Sequence, residues 1–299
     1  MKKVQLLWLV SLSFFLVNAQ FALSQEQQQN SDAQEETVEI PKVQDGVYKK
    51  QNIPAKEPLP YPHVNESSVL WSKRIWRVID CRQKMNHPLY FPTQDVGNRV
   101  SLFNALANGI KKGEINAYSY EAFKAPIGYD QVKKAMGAGP KQQTIPDPQN
   151  PAQEIDTVIN VEMNPADIKQ YLIKEDWYFD TRYSRLRVRI IGICPIRVYE
   201  EEQPDGSVRT MKEKVFWIYY PQARSVLANH EAFNRHNNAR SISYDDIFQK
   251  RIFNSYVQKQ ANVYNNRLIS DYASGMNSIL ESERIENKIH EWEQSLWSY

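Results

Sequence analysis

The sequence predicts an α+β protein with a helical N-terminal part, a small antiparallel sheet with flanking helices, and a long helical C-terminal arm. Three observations predict this class. Apolar residues recur at helical spacing in the front of the chain, they alternate at strand spacing between residues 185 and 220, and they return to helical spacing near the end.

The first 24 residues have the pattern of a secretory signal peptide. Lys2 and Lys3 precede an apolar run at 4–17, and small residues follow. An uncleaved anchor is the alternative, but this run is short for a membrane span. No cysteine lies next to either candidate cleavage site, so we do not expect the mature protein to carry a lipid anchor.

Four further segments are predicted after the signal peptide. The first is polar, rich in Gln and Glu, and then rich in proline, so it cannot bury enough apolar surface to offset its ordering entropy. About 235 residues then remain, enough for one large domain or two small ones. The segments are a disordered or extended leader at 25–62, a helical part at 63–136, a breaker-rich linker at 137–151, and an α+β part with C-terminal helices at 152–299.

The segment 71–85 is predicted to be an amphipathic helix. At about 100° per residue, Trp71 and Ile75 fall in one apolar arc, and Arg77 lies on the opposite, charged side. Trp71 is therefore predicted to lie in the core. Trp76 falls at the margin of the arc, where it either packs within the molecule or contacts a partner.

Two further helices are predicted in the front part, at 100–111 and at 129–136. The alternation at 155–161 predicts a strand. Two capping patterns predict helix starts, because Asn164 precedes a proline and Ser243 precedes two acidic residues. A terminal helix is predicted by an apolar stripe at Ile285, Ile289, Trp292 and Leu296.

The segment 185–220 is predicted to form an antiparallel hairpin. Apolar residues from Leu186 to Val198 share one parity, and 203–206 supplies turn residues. A three-residue loop would pair Gln203 with Ser207, and a one-residue slip would undo this register. The facing pairs would be Ile193 with Trp217, Ile191 with Tyr219, Pro195 with Val215, and Arg197 with Glu213.

We predict no catalytic, cofactor-binding or metal-binding residues from the motifs in the sequence. His230 and Glu231 lack the second histidine of a zinc-protease helix, which would stand at Asn234. The glycine-rich stretch at 137–139 lacks the third glycine of a dinucleotide-binding loop. The two cysteines, Cys81 and Cys194, are compatible with one disulfide or with two buried thiols.

Charge argues against a nucleic-acid partner. Cleavage of the signal peptide removes two of the 37 basic residues and none of the 35 acidic residues, which leaves a net charge of zero. Three arginines alternate along the predicted strand, so they project from one face as either a solvated, salt-bridged face or a partner surface. The candidate partner-interface residues are Trp76, Arg77, Arg185, Arg187 and Arg189.

Four segments together resemble the GldN/PorN family of the gliding-motility and type IX secretion apparatus of Gram-negative bacteria. They are LWSKRIWRVIDCRQKMNHPLYFP at 70–92, FWIYYPQARSVLANHEAFN at 216–234, SYDDIFQKRIFNSYVQKQANVYNNRLISDY at 243–272, and IHEWEQSLWSY at 289–299. The resemblance covers about residues 69–299.

The resemblance implies a non-catalytic periplasmic subunit, peripherally attached to the inner face of the outer membrane. It implies association with the outer-membrane lipoprotein GldK/PorK and with further copies of itself in a ring. The inner-membrane motor proteins GldL/PorL and GldM/PorM are further candidate partners. The resemblance implies no cofactor and no catalytic residue.

Two alternative functions stay open from the residues alone. A soluble periplasmic hydrolase could use an acid pair such as Glu175 and Asp180. A cell-wall-binding module could stack sugars on the aromatic-rich segments at 216–220 and 292–299.

Overall fold

A computed structural model describes Val47 and residues 56–96, 99–146, 154–203, 206–235, 237 and 239–296, without the side chains of 141–146, 154–158 and 202. Apart from Val47, these residues belong to one compact unit, Gln51–Tyr299. The predicted signal peptide, the predicted leader as far as residue 55, with Val47 excepted, and residues 147–151 of the predicted linker lie outside the described residues.

The structure is built on strands. They are β1 Val69–Asp80, β2 Ala117–Tyr118, β3 Pro126–Ile127, β4 Gly139–Pro146, β5 Glu154–Val161, β6 Ile168–Asp180, β7 Arg185–Glu202, β8 Val208–Lys214, β9 Trp217–Tyr219, β10 Glu231–Ala232, β11 Ile242–Ser243 and β12 Tyr256–Gln260. An eight-stranded antiparallel sheet has the order β12-β1-β6-β7-β9-β2-β3, with β8 also paired to β7. The pairs β4-β5 and β10-β11 are separate.

The helices lie between and after these strands. They are α1 His87–Tyr90, α2 Leu102–Lys111, α3 Tyr129–Ala135, α4 Tyr220–Ala228, α5 Tyr244–Gln249 and α6 Met276–Ser295, with short 3-10 helices at Glu66–Ser68, Lys84–Asn86, Pro165–Asp167 and Ile269–Asp271. Within the described part of the chain, no helix is both long and apolar enough to cross a membrane.

The predicted α+β fold class is wrong, because the protein is mostly β and its sheet is large. Residues 71–80 of the helix predicted at 71–85 lie in β1, and the helix predicted from Pro165 lasts one 3-10 turn before β6 begins. From Ile75 to Asp80, every residue of β1 is buried, so both faces of the strand carry core residues. A strand buried on both faces loses its alternating pattern, which removes the sequence signal for a strand.

The first face of the sheet carries two apolar clusters. Ile79, Tyr171 and Ile193 belong to the larger cluster, which also includes residues of α2, α4 and α5. The smaller cluster includes Ile75 and Trp177 together with residues of α6. The predicted long helical C-terminal arm is interrupted by β12, and its long helix, α6, begins only at Met276 and is docked on the sheet.

The second face is covered in part by the loop between β2 and β3. Trp76, Cys194 and Trp217 form its core, and Phe123 packs against them. Gly192 makes this contact possible, because a Cβ atom there would lie 2.6 Å from the Phe123 ring. The two cysteines are free thiols in different clusters, and burial raises the pKa of each to about 12.

A bulge in β7 divides the predicted apolar stripe between the two faces. Lys174 of β6 pairs with Gly192 and Glu175 pairs with Ile190, so Ile191 is an extra residue. Residues before the bulge, such as Val188, therefore pack on the first face, and Cys194 packs on the second. Shared parity in the sequence does not mean a shared face here.

The predicted hairpin register is confirmed where β7 pairs with β8, and it is shifted by one residue where β7 pairs with β9. The Gln203 N–H donates to the Ser207 carbonyl, and Arg197 faces Glu213. Beyond Val215 the pairing slips by one residue, so Ile193 faces Ile218 instead of Trp217. Pro195 accepts a bond from Val215 but has no N–H to return, which weakens the ladder at the point of the slip.

Local signals with a side-chain cap or strong periodicity are confirmed. The helix predicted at 100–111 corresponds to α2, which Ser101 caps, and the predicted cap Ser243 starts α5 with a full capping box. Asn164 accepts the bond expected of a cap, although it starts only a 3-10 turn. The predicted strand at 155–161 and the predicted helix at 129–136 correspond to β5 and α3.

The two tryptophans of β1 are buried in the opposite order to that predicted from a helix, which placed Trp71 in the core and Trp76 at the margin. Trp76 is 2% exposed, whereas Trp71 is partly exposed and stacks on Trp292 with ring centroids 4.5 Å apart. Successive residues of a strand point to opposite faces, so Trp71 contacts α6 and Trp76 enters the core of the second face.

Replacement of Trp76 with alanine is expected to lower the free energy of unfolding by about 3–5 kcal/mol, because the whole ring leaves a packed site. Replacement of Trp71 is expected to cost less, since its ring is only partly buried. Urea denaturation of both variants measures the two losses. A larger loss at Trp71 than at Trp76 would contradict the described burial of β1.

Candidate interaction surface

The turn between β6 and β7 gathers arginines around one tyrosine. The guanidinium carbons of Arg182, Arg185 and Arg187 lie 5.6, 5.6 and 4.3 Å from the centroid of the Tyr183 ring. Tyr183 is 51% exposed. We call these four residues the Tyr183 patch, and it contains two of the predicted partner residues, Arg185 and Arg187.

Asp180 organises one side of the Tyr183 patch. Its buried carboxylate accepts hydrogen bonds from the backbone N–H of Arg182 at 3.1 Å and from Arg182 Nε at 3.2 Å. The hydrogen bond from the Arg182 side chain holds the pKa of Asp180 below its ordinary value. One carboxylate thus faces three guanidinium groups, and the patch carries net positive charge.

Arg189, the third predicted arginine of β7, contacts the end of the leader instead. Its Nη2 donates to the Pro62 carbonyl at 2.8 Å, and its guanidinium carbon lies 4.7 Å from the centroid of the Tyr61 ring. Arg224 of α4 lies 4.5 Å from the same centroid and donates to the Leu59 carbonyl at 2.5 Å. The Tyr61 ring therefore contacts two guanidinium groups.

Further contacts hold the same segment. The Gln249 side chain donates to the Tyr61 hydroxyl at 2.7 Å, and Arg182 donates to the His63 carbonyl at 3.2 Å. Prolines at 58, 60 and 62 have no N–H, so carbonyl oxygens are the main polar groups that this stretch offers. We call the contacts of 56–63 with Arg189, Arg224 and Gln249 the leader clamp.

Asp245 positions Arg224 for the leader clamp. Its carboxylate accepts hydrogen bonds from Arg224 Nε at 3.1 Å and Nη2 at 3.2 Å, and from the Tyr220 hydroxyl at 2.7 Å. Both ion-pair partners are almost fully buried, so removal of either one would leave the other charged and unpaired.

Lys56 forms an ion pair with Asp246 at the start of α5. Burial alone would raise the pKa of Asp246. The hydrogen bonds from Lys56, Lys250 and Ser243 outweigh burial and hold this pKa well below its ordinary value. The ionised carboxylate thus joins Lys56, at the start of the clamped segment 56–63, to the capping box of α5.

The other two predicted partner residues are buried. Trp76 lies in the core of the second face, where Lys259 Nζ is 4.2 Å from its ring centroid. Arg77 is 8% exposed, donates to Ser255 Oγ at 2.8 Å, and pairs with Glu286 of α6 at 2.8 Å. The five predicted residues therefore do not form one surface.

The acid pair considered for a hydrolase is not brought together. Glu175 and Asp180 are five residues apart in an uninterrupted stretch of β6, so they point to opposite faces. Glu175 is fully buried and pairs with Arg251 at 2.7 Å. In the described residues, no group of three or more His, Cys, Asp or Glu side chains could hold a metal ion.

Most aromatic side chains in the segments considered for sugar stacking are buried or stack on other residues of the protein. Phe216, Trp217 and Tyr220 are buried, and only Tyr219 is substantially exposed, at 40%. Trp292 stacks on Trp71, and residues 297–299 lie outside the described residues.

The leader clamp was not predicted from the sequence. All of 25–62 was predicted to be one disordered or extended leader, whereas residues from Lys56 onward make defined contacts. Prolines at every second position, interrupted by a tyrosine, are typical of extended segments that dock on aromatic and polar grooves. This pattern of prolines could have predicted from the sequence that the segment docks on the folded domain.

Comparison with known proteins gives one family. A family model described as "Gliding motility associated protein GldN" matches residues 64–298. No curated protein matches the chain. The matched range contains every strand and α-helix in the described part of the chain, and it begins just after the clamped segment 56–63.

Replacement of Tyr61 with alanine is expected to open the leader clamp, because two cation–π contacts worth about 0.5–1 kcal/mol each are lost. Trypsin should then cut after Lys56 several times faster, as followed by mass spectrometry. The matched control is Tyr264→Ala, since Tyr264 also lies beside an arginine, 4.6 Å from Arg267. Unchanged cleavage in Tyr61→Ala would contradict the clamp.

Acid is expected to weaken the attachment of Lys56. A carboxylate with a lowered pKa in the folded state stabilises the fold fully above its ordinary value of 3.8, and this contribution is lost as the pH falls below that value. Asp246→Asn should therefore cost about 1–3 kcal/mol at neutral pH and about 1 kcal/mol less near pH 3, where the carboxyl of the unfolded chain is mostly protonated while that of the folded protein is still ionised. Urea denaturation at both pH values measures the difference, and an equal cost at both would refute the assignment.

Proposed function

Because the chain belongs to the GldN family of gliding motility associated proteins, we propose that it is a non-catalytic structural subunit of the gliding-motility and type IX secretion machinery. It works in the periplasm at the inner face of the outer membrane, bound to the lipoprotein GldK/PorK within a ring. The family match over 64–298 is the observation that carries this proposal.

The Tyr183 patch is the surface that we assign to the lipoprotein. Tyrosine and arginine are the residue types that most often dominate binding energy at protein interfaces, and both are exposed here. The patch ends a long hairpin of the central sheet, so its backbone is held by the β6-β7 ladder. Such a surface requires little ordering when a partner binds.

A structural role agrees with how the buried charges are used. Glu175 and Asp180 each neutralise an arginine and lie on opposite faces, which leaves neither as part of an acid-base pair. In a ring, repeated copies raise the effective concentration of each contact, so modest single contacts suffice. The motor proteins GldL/PorL and GldM/PorM are further partners of the assembled ring.

The test is membrane fractionation of cells that carry Arg185→Glu with Arg187→Glu. Reversal of both charges should move the protein out of the outer-membrane fraction, the same result that we expect on deletion of the lipoprotein gene, and should lower secretion of type IX substrates by about tenfold or more. Lys212→Glu with Lys214→Glu is the matched control, since both lysines are exposed on the same sheet.

Two results would contradict the proposal at different levels. If the double arginine variant stays in the outer-membrane fraction, the Tyr183 patch is not the lipoprotein surface. If a clean deletion of the whole gene leaves secretion normal, the protein is not a working part of the machinery.

A further inference from the structure

An open apolar cleft lies between α1 and the segment after β10, and the proposed function does not use it. The cleft has a volume of about 450 Å³. Its main apolar side chains are unusually exposed, since Phe91 is 50%, Val96 58% and Phe233 44% accessible. We call this site the Phe91 cleft.

Basic residues line the rim of the Phe91 cleft. They are Lys84, Arg99 and Arg235, with His87 beside them. Arg99 lies 5.5 Å from the centroid of the Phe233 ring. Among the residues that the structure describes, no carboxylate forms an ion pair with any of these three cations. The cleft thus combines exposed apolar surface with three cations that no described carboxylate pairs with.

The walls of the Phe91 cleft are held by defined contacts. The Phe91 ring has edge contacts with His87 at 5.8 Å and with Tyr90 at 4.8 Å. Across the cleft, Val96 and Arg99 exchange two backbone hydrogen bonds of 3.1 Å. The cleft is therefore formed before any partner binds, which lowers the entropy cost of binding.

A second cleft of about 310 Å³ lies on the other side of Phe91 and His87. Its lining includes Tyr90 and Lys169. Side chains of an extended peptide that point the same way are about 7 Å apart, so two of them can enter adjacent clefts on either side of one ring.

We propose that the two clefts bind an extended acidic peptide segment of a partner protein. Two large apolar side chains of the peptide enter the clefts, and its carboxylates pair with Lys84, Arg99 and Arg235. Charge complementarity selects this partner, because the rim offers only cationic and imidazole groups among its charged side chains. A lipid acyl chain fits less well, since it needs one continuous channel and the structure has two short clefts.

Fluorescence anisotropy with the full chain tests the proposal. The probe is a labelled peptide Glu-Glu-Phe-Glu-Leu-Glu, compared with versions in which lysine replaces each glutamate or alanine replaces Phe and Leu. Only the first peptide should bind, and salt should weaken it. Phe233→Ala and Arg235→Glu should each weaken binding about tenfold or more.

The control variant is Arg185→Glu with Arg187→Glu in the Tyr183 patch, which should bind the peptide as the unaltered chain does. A benzophenone in place of the peptide's phenyl ring should cross-link to the walls of the two clefts, and this readout does not depend on the folding of any variant. Equal binding of the lysine peptide, no effect of Phe233→Ala, cross-links elsewhere, or displacement of the peptide by anionic phospholipid vesicles would each overturn the proposal.

Discussion

Burial of both faces of β1, β6 and β7 is the constraint on which the rest of this structure depends. Charged residues in these strands enter the interior, and a buried charge is tolerated only with a partner. Glu286 of α6 therefore binds Arg77, Arg251 binds Glu175, and the Glu121 carbonyl accepts from Lys174 at 2.8 Å. These contacts come from distant parts of the chain, so they also decide where α6 and the β2-β3 loop are docked.

The same constraint decides which surfaces are free for partners. Central aromatic residues such as Trp76 and Trp217 are buried in the core of the second face, and the C-terminal Trp292 stacks on Trp71. Exposed aromatic residues with cations beside them occur instead at a turn and around loops, in the Tyr183 patch and the Phe91 cleft. Loops and turns on a rigid sheet are where binding residues concentrate in many folds.

The sequence placed candidate interface side chains next to one another only where the local element was predicted correctly, and their role at an interface stays a prediction. The strand at 185–202 was recognised, so its arginines were placed together, and Arg185 and Arg187 do lie in one exposed patch. Trp76 was predicted at the margin of the apolar face of a helix and Arg77 on its charged, solvent-facing side. The segment is instead a strand, and both side chains are buried. Arg224 was not considered, because its contact with Tyr61 spans 163 residues of sequence.

By itself, the sequence determined the family, whose model matches residues 64–298. It also determined the helix α2, the capped start of α5, the terminal helix and the turn of the β7-β8 hairpin, because each of these depends on residues close together in the chain. Only the tertiary structure decided that 69–80 and 168–180 are central strands, that Ile191 bulges, and that Lys56 begins a clamped segment. Those outcomes depend on which distant segments cover each face, and a strand covered on both faces has no alternation for a sequence to display.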